Sequence, residues 1–481
     1  MVRLQVPRIY SLRDARNVTT HKSAEQWSPM VQNSECGKPS SRSERPGTVA
    51  PSLRPSARYR NQLLHVLCAF IMAPCLGWSG GTCAQDPGAT EKKDKPRLAI
   101  HVGKIITSAG EPIVNGTILV ADGKIEKVGP SAEITVPPGY EEIDHRDRFA
   151  LPGLIDAHCH IAGSSDLNEM VYQTNPELRN WDQIIPHNDR LKVAIAGGVT
   201  TVCFIPGSGT NMGGWGVLLK TGPGKPEDVI IRAPGVLKIA QAGNPERQGG
   251  EVGSGRMGMN HVIRQQLLEG QYYVRQWDLY EAGELEQPPE VNLRLEYFKP
   301  LFRRQIPVLV HTQQFQVVHA SIAMLHDEMN LKIIIGHGTF NAFHLAPELI
   351  KRGIPVMAGP RGFYVDPEDG QLKGIVAEYN KRGLEFLGVN TDSPVVPQED
   401  LFFQAAMAVR YGWTEEQAIR GLTIEAAKAL MIDDRVGSFE PGKDADIVIA
   451  TGSIVDPRNY VVEVFIDGQS VYNIARDRRR Y

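Results

Sequence analysis

The 481-residue sequence contains few cysteines, and most of them lie near its start. Four of the six precede residue 84, and only Cys159 and Cys203 follow it. Two cysteines in the main body cannot form the disulfide framework that stabilises small secreted domains. Stability must therefore come from a large apolar core, for which a hydrophobic content of 42% is sufficient.

Basic residues are scarce where a nucleic-acid-binding protein would need them. From residue 85 onward, 41 Lys and Arg stand against 51 Asp and Glu, whereas residues 1–60 hold 11 basic and 4 acidic residues. Nucleic-acid binding requires basic patches, which this balance does not offer. We therefore expect no nucleic acid among the partners.

Charge is absent from residues 61–84, which contain an apolar run at 63–78. The run is shorter than the roughly 20 residues of a comfortable transmembrane helix, and it includes His65. Arg58 and Arg60 precede it and small residues follow it, which is typical of a secretory signal peptide. We expect export to the periplasm or the medium, with no stable membrane span in the mature protein.

Two alternatives to export stay open for this segment. It is either a membrane anchor or part of a disordered tail that carries one apolar patch, and without a signal the protein would be cytoplasmic. The Arg-, Ser- and Pro-rich residues 1–60 lack periodicity and are expected to be disordered.

Short β-type runs broken by Asn-Gly and Asp-Gly turns follow residue 97 and return at 443–472. They indicate two halves of one small β-domain. Between them, helix-like stretches alternate with eight apolar strand candidates: "GLIDAHCH", "GVTTVCFI", "GVLLKTG", "GVLKIAQ", "IPVLVHT", "KIIIGHG", "IPVMAG" and "EFLGVNTD". This alternation predicts an α/β fold with a parallel sheet, best matched by a (β/α)₈ TIM barrel. A doubly wound open sheet is the rival, but its glycine fingerprint is missing.

The expected organisation follows from these patterns. It comprises a disordered extension at 1–60, a signal peptide at 61–84, a linker at 85–96, the first part of the β-domain at 97–150, the barrel at 151–432, the second part of the β-domain at 433–475 and a tail at 476–481.

The segment "LPGLIDAHCH" (151–160) ends in two histidines separated by one residue. Residues i and i+2 of a strand point to the same side, so His158 and His160 can grip one metal ion at the mouth of a barrel. His311, His337 and Asp392 each follow another apolar strand. Any one of them alone would ordinarily be structural, but strand ends that all carry His or Asp predict a metal site.

These motifs, together with "GVTTV", "NTDSP" and "GSFEPGKDADIVI", resemble the amidohydrolase superfamily over about residues 97–475. The similarity is greatest to imidazolonepropionase-like proteins and to metal-dependent dipeptidases. The resemblance implies a distorted (β/α)₈ barrel with a β-sandwich built from both chain ends. It also implies a small-molecule substrate and, as in many relatives, a homo-oligomer.

The resemblance further implies a ligand set for Zn²⁺ or another divalent metal, as one or two ions. His158, His160 and Asp392 would bind the more buried ion, and His311 and His337 the second. Lys238 in "GVLKIAQAG" matches a lysine that binuclear relatives carbamylate to N6-carboxylysine, which bridges both ions. The alternative for Lys238 is a barrel lysine paired with a carboxylate.

Two segments depart from the family pattern. Many relatives carry Gly-Glu-Asn-Pro after the lysine strand, where this chain has "AGNP" (242–245). Relatives also often have His-Ala-His on the fifth strand, where this chain has "HTQ" (311–313). Both differences affect the second metal site and the substrate contacts.

The resulting hypothesis is a hydrolase of an amide, peptide or cyclic amide C–N bond. Metal-bound hydroxide is the nucleophile, Asp392 is the acid and base, and His337 polarises the substrate carbonyl if only one ion is bound. Arg361, after the seventh strand, would pair with a substrate carboxylate or form an ordinary rim salt bridge. The alternatives are an inactive exported barrel that acts as a binding protein, and a deaminase or lyase on the same scaffold.

Overall fold

The computed structural model describes residues 95–478 except 165–166, 187, 242 and 247–251. The predictions for residues 1–60, for the signal peptide and for most of the linker lie outside these residues. Among the described helices, none is both long enough and apolar enough to cross a membrane.

The strands are, in chain order, β1 (Leu98–Ile105), β2 (Ile113–Ala121), β3 (Lys124–Pro130), β4 (Glu141–Pro152), β5 (Leu154–Cys159), β6 (Val199–Phe204), β7 (Met212–Lys220), β8 (Ile230–Ala240), β9 (Val308–Thr312), β10 (Ile333–His337), β11 (Val356–Ala358), β12 (Phe363–Val365), β13 (Leu372–Gly374), β14 (Leu387–Val389), β15 (Ile447–Ala450), β16 (Val461–Ile466) and β17 (Gln469–Asn473).

The α-helices are α1 (Asp189–Ala196), α2 (Pro226–Val229), α3 (Arg256–Glu281), α4 (Phe298–Phe302), α5 (Phe315–Ser321), α6 (Ala346–Arg352), α7 (Ile375–Lys381), α8 (Leu401–Arg410), α9 (Glu415–Leu422), α10 (Ile424–Ala429) and α11 (Ile474–Asp477). A π-helix spans Ile322–Glu328, and 3₁₀ turns span Ser131–Glu133, Asn180–Gln183, Phe340–Leu345 and Gln398–Asp400.

Strands from both ends of the chain share one seven-stranded sheet in the order β17-β16-β15-β4-β1-β2-β3. The central pair β1 and β4 is parallel, and the other pairs are antiparallel. Ile118 of β2 and Phe465 of β16 belong to the same buried core although three strands separate β2 from β16 in the sheet. The described segments on either side of the barrel therefore fold as one unit, and the β-sandwich itself stays a prediction.

All eight apolar segments of the middle region form strands of a second sheet, in the order β14-β11-β10-β9-β8-β7-β6-β5. Its two edge strands meet, because Cys159 bridges to Ser393 just after β14 and the His160 amide donates to the Ser393 carbonyl at 2.8 Å. The sheet is thus nearly closed, and the prediction of a TIM-barrel-like α/β fold is confirmed.

The prediction of a wholly parallel sheet is wrong for β7, which is antiparallel to both β6 and β8. Only residues 205–211 connect β6 to β7, and the four-residue α2 lies between β7 and β8. A parallel crossover needs a dozen or more residues, so the chain turns back as a hairpin at this point.

The inside of the barrel is filled by side chains from alternating positions of its strands. The inner core includes Ile155, Ala157, Cys203, Ile205, Leu218, Val236, Leu309, Ile334 and Met357. Branched and apolar residues in such layers make the barrel a packed core, not a pore. Chemistry is thereby confined to its mouth.

Candidate metal centre

A bulge in β5 aims its two histidines at the barrel mouth. Asp156 pairs with Val202 and Cys159 with Phe204, so β5 advances three residues while β6 advances two. The extra residue shifts the alternation, because Ile155 belongs to the inner core whereas Cys159 packs in the outer one. His158 and His160 consequently face inward together.

Regular alternation along β8 and β9 turns the side chains of Lys238 and His311 toward the inside of the barrel. In β8, Val236 packs in the inner core and Lys238, two residues later, shares that face. In β9 the same relation holds between Leu309 and His311. Lys238 and His311 are 0% and 3% exposed, so both are held among packed neighbours.

His337 and Asp392 reach the cluster through unusual backbone. Their φ angles are +77° and +49°, in the left-handed region that disfavours non-glycine residues. Ile333 and Ile335 of β10 pack in the outer core, so regular alternation would also turn His337 outward. Local strain of this kind, of order 1–3 kcal/mol per residue, persists where surrounding structure enforces it, often at functional sites.

Five of the six predicted metal-site residues converge in two overlapping groups, and Lys238 lies beside them. Ligand atoms of His158, His160 and Asp392 lie within 4.8 Å of one another, as do those of His158, His311 and His337. Asp392 Oδ1 is 3.2 Å from His158 Nε2 and 3.1 Å from His160 Nε2. His337 Nε2 is 2.7 Å from His311 Nδ1. The shared His158 joins the two groups into one cluster.

Backbone carbonyls orient two of the rings. His160 Nδ1 donates to the Ile205 carbonyl at 2.9 Å, and His337 Nδ1 donates to the Gly359 carbonyl at 2.6 Å. A carbonyl can only accept, so both Nδ1 atoms carry the proton and both Nε2 atoms present lone pairs. Such outer partners commonly fix the tautomer of a metal-binding histidine.

This donor set fits a divalent cation. The His160 Nε2 lone pair faces a carboxylate oxygen 3.1 Å away, an arrangement that a cation between them would stabilise. His158 Nδ1 and His311 Nε2 are buried without a hydrogen-bond partner, so the rings are not satisfied by protein groups alone. Imidazole and carboxylate donors suit zinc and similar ions.

The pKa values agree with neutral rings around one carboxylate. Burial lowers the pKa of His337 to about 4 and holds those of His158 and His311 well below their usual range. Burial alone would raise the pKa of Asp392, but the facing histidines hold it well below its usual range. His158, His311 and His337 are therefore neutral imidazoles beside an ionised aspartate, the forms that bind metal.

Lys238 contacts His158, the histidine that the two groups share. Its Nζ is 3.1 Å from His158 Nε2, and burial lowers the pKa of the amine to about 8. None of the described salt bridges pairs Lys238 with a carboxylate, so the ordinary alternative of a barrel ion pair has no support here.

The other predicted positions are less central. Arg361 is exposed, and its guanidinium lies over the Phe340 ring at 5.0 Å. His319 lies on α5, His326 on the π-helix and His344 on a 3₁₀ turn, and none of the three belongs to the two groups. In the "AGNP" and "HTQ" segments, the described residues bring no further histidine or carboxylate into the two groups.

Asp156 is not among the predicted site residues, yet it holds His158 and the segment before Asp392 in place. This fully buried carboxylate accepts hydrogen bonds from the His158 amide (2.9 Å), the Thr391 amide and hydroxyl (3.1 and 2.6 Å) and the Gln398 side chain (2.6 Å). Burial raises its pKa to about 6. In the sequence, its position two residues before His158 was the feature that could have indicated this supporting role.

Comparison with known proteins agrees with this architecture. The profile of the amidohydrolase family matches residues 365–471. A solved amidohydrolase from Thermotoga maritima MSB8 is 32% identical, with a TM-score of 0.70, and the match covers 78% of this chain and 100% of that one. The chain belongs to the amidohydrolase family.

Two curated relatives are more distant. Amidohydrolase tasK of Hapsidospora irregularis is 27% identical over 398 residues, which are 74% of this chain and 40% of that protein. The chain thus spans less than half the length of that relative. The imidazolonepropionase of Brucella anthropi is 27% identical over 369 residues, covering 70% of this chain and 87% of that enzyme.

Proposed function

We propose that the protein is a metal-dependent hydrolase of a C–N bond in an amide, a peptide or a cyclic amide. The observation that carries this proposal is the pair of donor groups that share His158 at the barrel mouth. Family membership and similarity to an imidazolonepropionase support it. The physiological substrate is a small molecule of this class.

In this proposal, His158, His160 and Asp392 hold one divalent cation, zinc or a similar ion, and His311 and His337 hold a second. A bound cation of this kind supplies an activated water at neutral pH. The geometry favours a ligand role for His337 over hydrogen-bond donation to substrate, because its proton is on Nδ1 and its Nε2 is a lone pair.

Asp392 is the acid and base of the proposed reaction. It is ionised and touches both histidines of the first group, so it can accept a proton from the attacking water. It would then return that proton to the leaving nitrogen. Proton transfer of this sort contributes roughly 10²–10⁴-fold to a rate.

Lys238 is proposed to be carbamylated when two ions are bound. An ammonium beside two cations would repel them, whereas a carbamate offers two oxygen ligands. The position of the amine beside His158, without a described carboxylate partner, supports this role. If only one ion binds, Lys238 is a structural residue of the barrel.

Metal content of the full chain, purified with zinc and bicarbonate and measured by elemental analysis, tests the proposal. Two ions per chain are expected. One ion would restrict the site to His158, His160 and Asp392, and none would contradict the hydrolase. Turnover of N-acyl amino acids, dipeptides and cyclic amides is measured beside aminopurines and aminopyrimidines, since exclusive turnover of the latter would favour a deaminase.

Export and a composite β-sandwich also remain proposals. Localisation of the full chain after cell fractionation, with N-terminal sequencing of the mature form, tests the signal peptide. Recovery of an uncleaved chain from the cytoplasm would contradict export.

A further inference from the structure

A cavity of about 220 Å³ lies at the end of the barrel opposite to the metal cluster. Its wall includes the residues just before three successive strands: Pro307 before β9, Lys332 before β10 and Pro355 before β11. His311 and His337 lie at the other ends of β9 and β10. We call this space the basal cavity, and it is separate from the proposed active site.

The charged lining of the basal cavity is entirely of one sign. Its charged or titratable side chains are Arg304, His326, Lys332, Arg352 and Lys428, and none of its described lining residues is Asp or Glu. The chain as a whole has a formal net charge of −3. A cavity whose charged side chains are all basic therefore runs against the overall charge of the protein.

Local ion pairs account for two of these cations. Arg352 pairs with Asp327 at 2.8 Å and also with Glu348, and Lys428 pairs with Glu425 at 3.3 Å. Arg352 also ends α6, where a cation stabilises the helix C-terminus. These groups need no ligand to explain their presence.

Arg304 and Lys332 are different. Arg304 donates to the backbone and side-chain oxygens of Asn330, and no described carboxylate lies within 4.0 Å of it. Lys332 likewise has no carboxylate partner among the described residues. Its ammonium makes a weak contact with Met431 Sδ at 3.7 Å.

The position of Lys332 excludes the usual structural explanation for a free cation. It precedes β10 and follows a short turn, so it does not end a helix whose dipole it could complement. Lys332 is only partly exposed. The three N–H donors of its ammonium therefore lie at a half-buried site, where their described partner is a sulfur atom. A charged group in such a place is stabilised best by a counter-charge.

We propose that the basal cavity binds a small phosphate-bearing anion, with Lys332 as its main cationic contact and Arg304 as the second. Cations on separate connections surround the space, which suits a tetrahedral dianion with several acceptor oxygens. Lysine serves as a point charge for phosphate, and arginine offers paired donors. The space is larger than a single water needs, so a phosphomonoester is accommodated.

The test is a calorimetric titration of inorganic phosphate, and separately of glycerol 3-phosphate, into the full chain at low ionic strength. Metal is removed first, because a cation at the barrel mouth would bind phosphate itself. Lys332→Met is expected to weaken binding at least about tenfold, the effect of losing one charge-assisted hydrogen bond. Lys332→Arg should retain binding, and Lys351→Met, an exposed lysine outside the cavity, should match the unaltered protein.

Equal phosphate affinity of Lys332→Met and the unaltered protein would overturn the proposal, as would the absence of saturable binding at millimolar phosphate. Tighter binding of acetate than of phosphate would overturn the ligand class. Thermal unfolding verifies that each variant is folded. If Lys332→Met is not, Lys332→Gln, which keeps a polar end group, is titrated instead.

Discussion

Asp156 Oδ2 accepts a hydrogen bond from Thr391 Oγ1 at 2.6 Å, which joins the first barrel strand to the residue before Asp392. Because the other oxygen of Asp156 accepts from the His158 amide, one buried carboxylate positions residues of both edge strands. The metal cluster thus depends on closure of the barrel.

Asp156→Asn is therefore expected to destabilise the protein. The amide would turn a donor toward groups that already donate, which costs about 1–3 kcal/mol for each unsatisfied buried group. Metal affinity should fall by roughly 10–100-fold, as for other outer-shell partners. Urea unfolding and metal titration measure both effects. Asp147→Asn, at an exposed position, is the control, and equal losses in the two variants would contradict this role.

Asp392→Asn should leave the protein folded and able to bind metal but remove most turnover. The amide cannot accept the proton that the reaction transfers, so a loss of about 10²–10⁴-fold is expected. Turnover is compared with metal content on the same preparation. Near-normal turnover with full metal content would refute the assignment of Asp392 as the base.

A buried ion cluster connects the two sheets and should make stability depend on pH. Asp444 accepts from Lys124 and pairs with Lys220 at 3.0 Å and Arg435 at 2.8 Å. Burial would raise the pKa of Asp444, but these cations lower it below its ordinary value. A lowered folded-state pKa stabilises the protein above the unfolded pKa of about 3.9 and loses that effect as the pH falls below it.

Asp444→Asn is accordingly expected to lower the free energy of unfolding by about 3 kcal/mol at pH 7. The difference from the unaltered protein should shrink as the pH falls below about 4, where the carboxylate of the unfolded chain begins to protonate, and should disappear once the pH is below the lowered pKa of the native carboxylate. Urea unfolding at several pH values measures it. Asp434→Asn is the exposed control, and a pH-independent difference would contradict the mechanism.

Asn211 has the opposite expected effect. Its side chain is fully buried, and neither amide atom has a hydrogen-bond partner in the described structure. Asn211→Leu removes the buried polar atoms at similar size, so stability should rise by about 1 kcal/mol. Asn175→Leu is the matched control. Asn175 donates to the Thr210 hydroxyl and the Met212 carbonyl, so the loss of these hydrogen bonds should destabilise the protein. A loss of stability in Asn211→Leu would show that the amide is satisfied.

The sequence by itself determined the strands and most of the chemistry at their ends. Each apolar run was long enough to cross the barrel, and a polar group just beyond it had to lie at an edge of the sheet. Lys238 and His311 could thus be placed by counting residues along strands, and His158 and His160 could be placed on one common side. The capping box of Thr414 and Gln417 was also predictable, because it is local.

Only the tertiary structure decided the features that depend on distant partners. The reversal of β7 follows from a short connection, and the bulge of β5 from its pairing with β6. His337 turns inward through a positive φ, and carbonyls from other strands fix its tautomer and that of His160. The local sequence pattern shows which residues are apolar and which are polar. The hydrogen-bond partner of a buried polar group, however, depends on how the whole barrel packs.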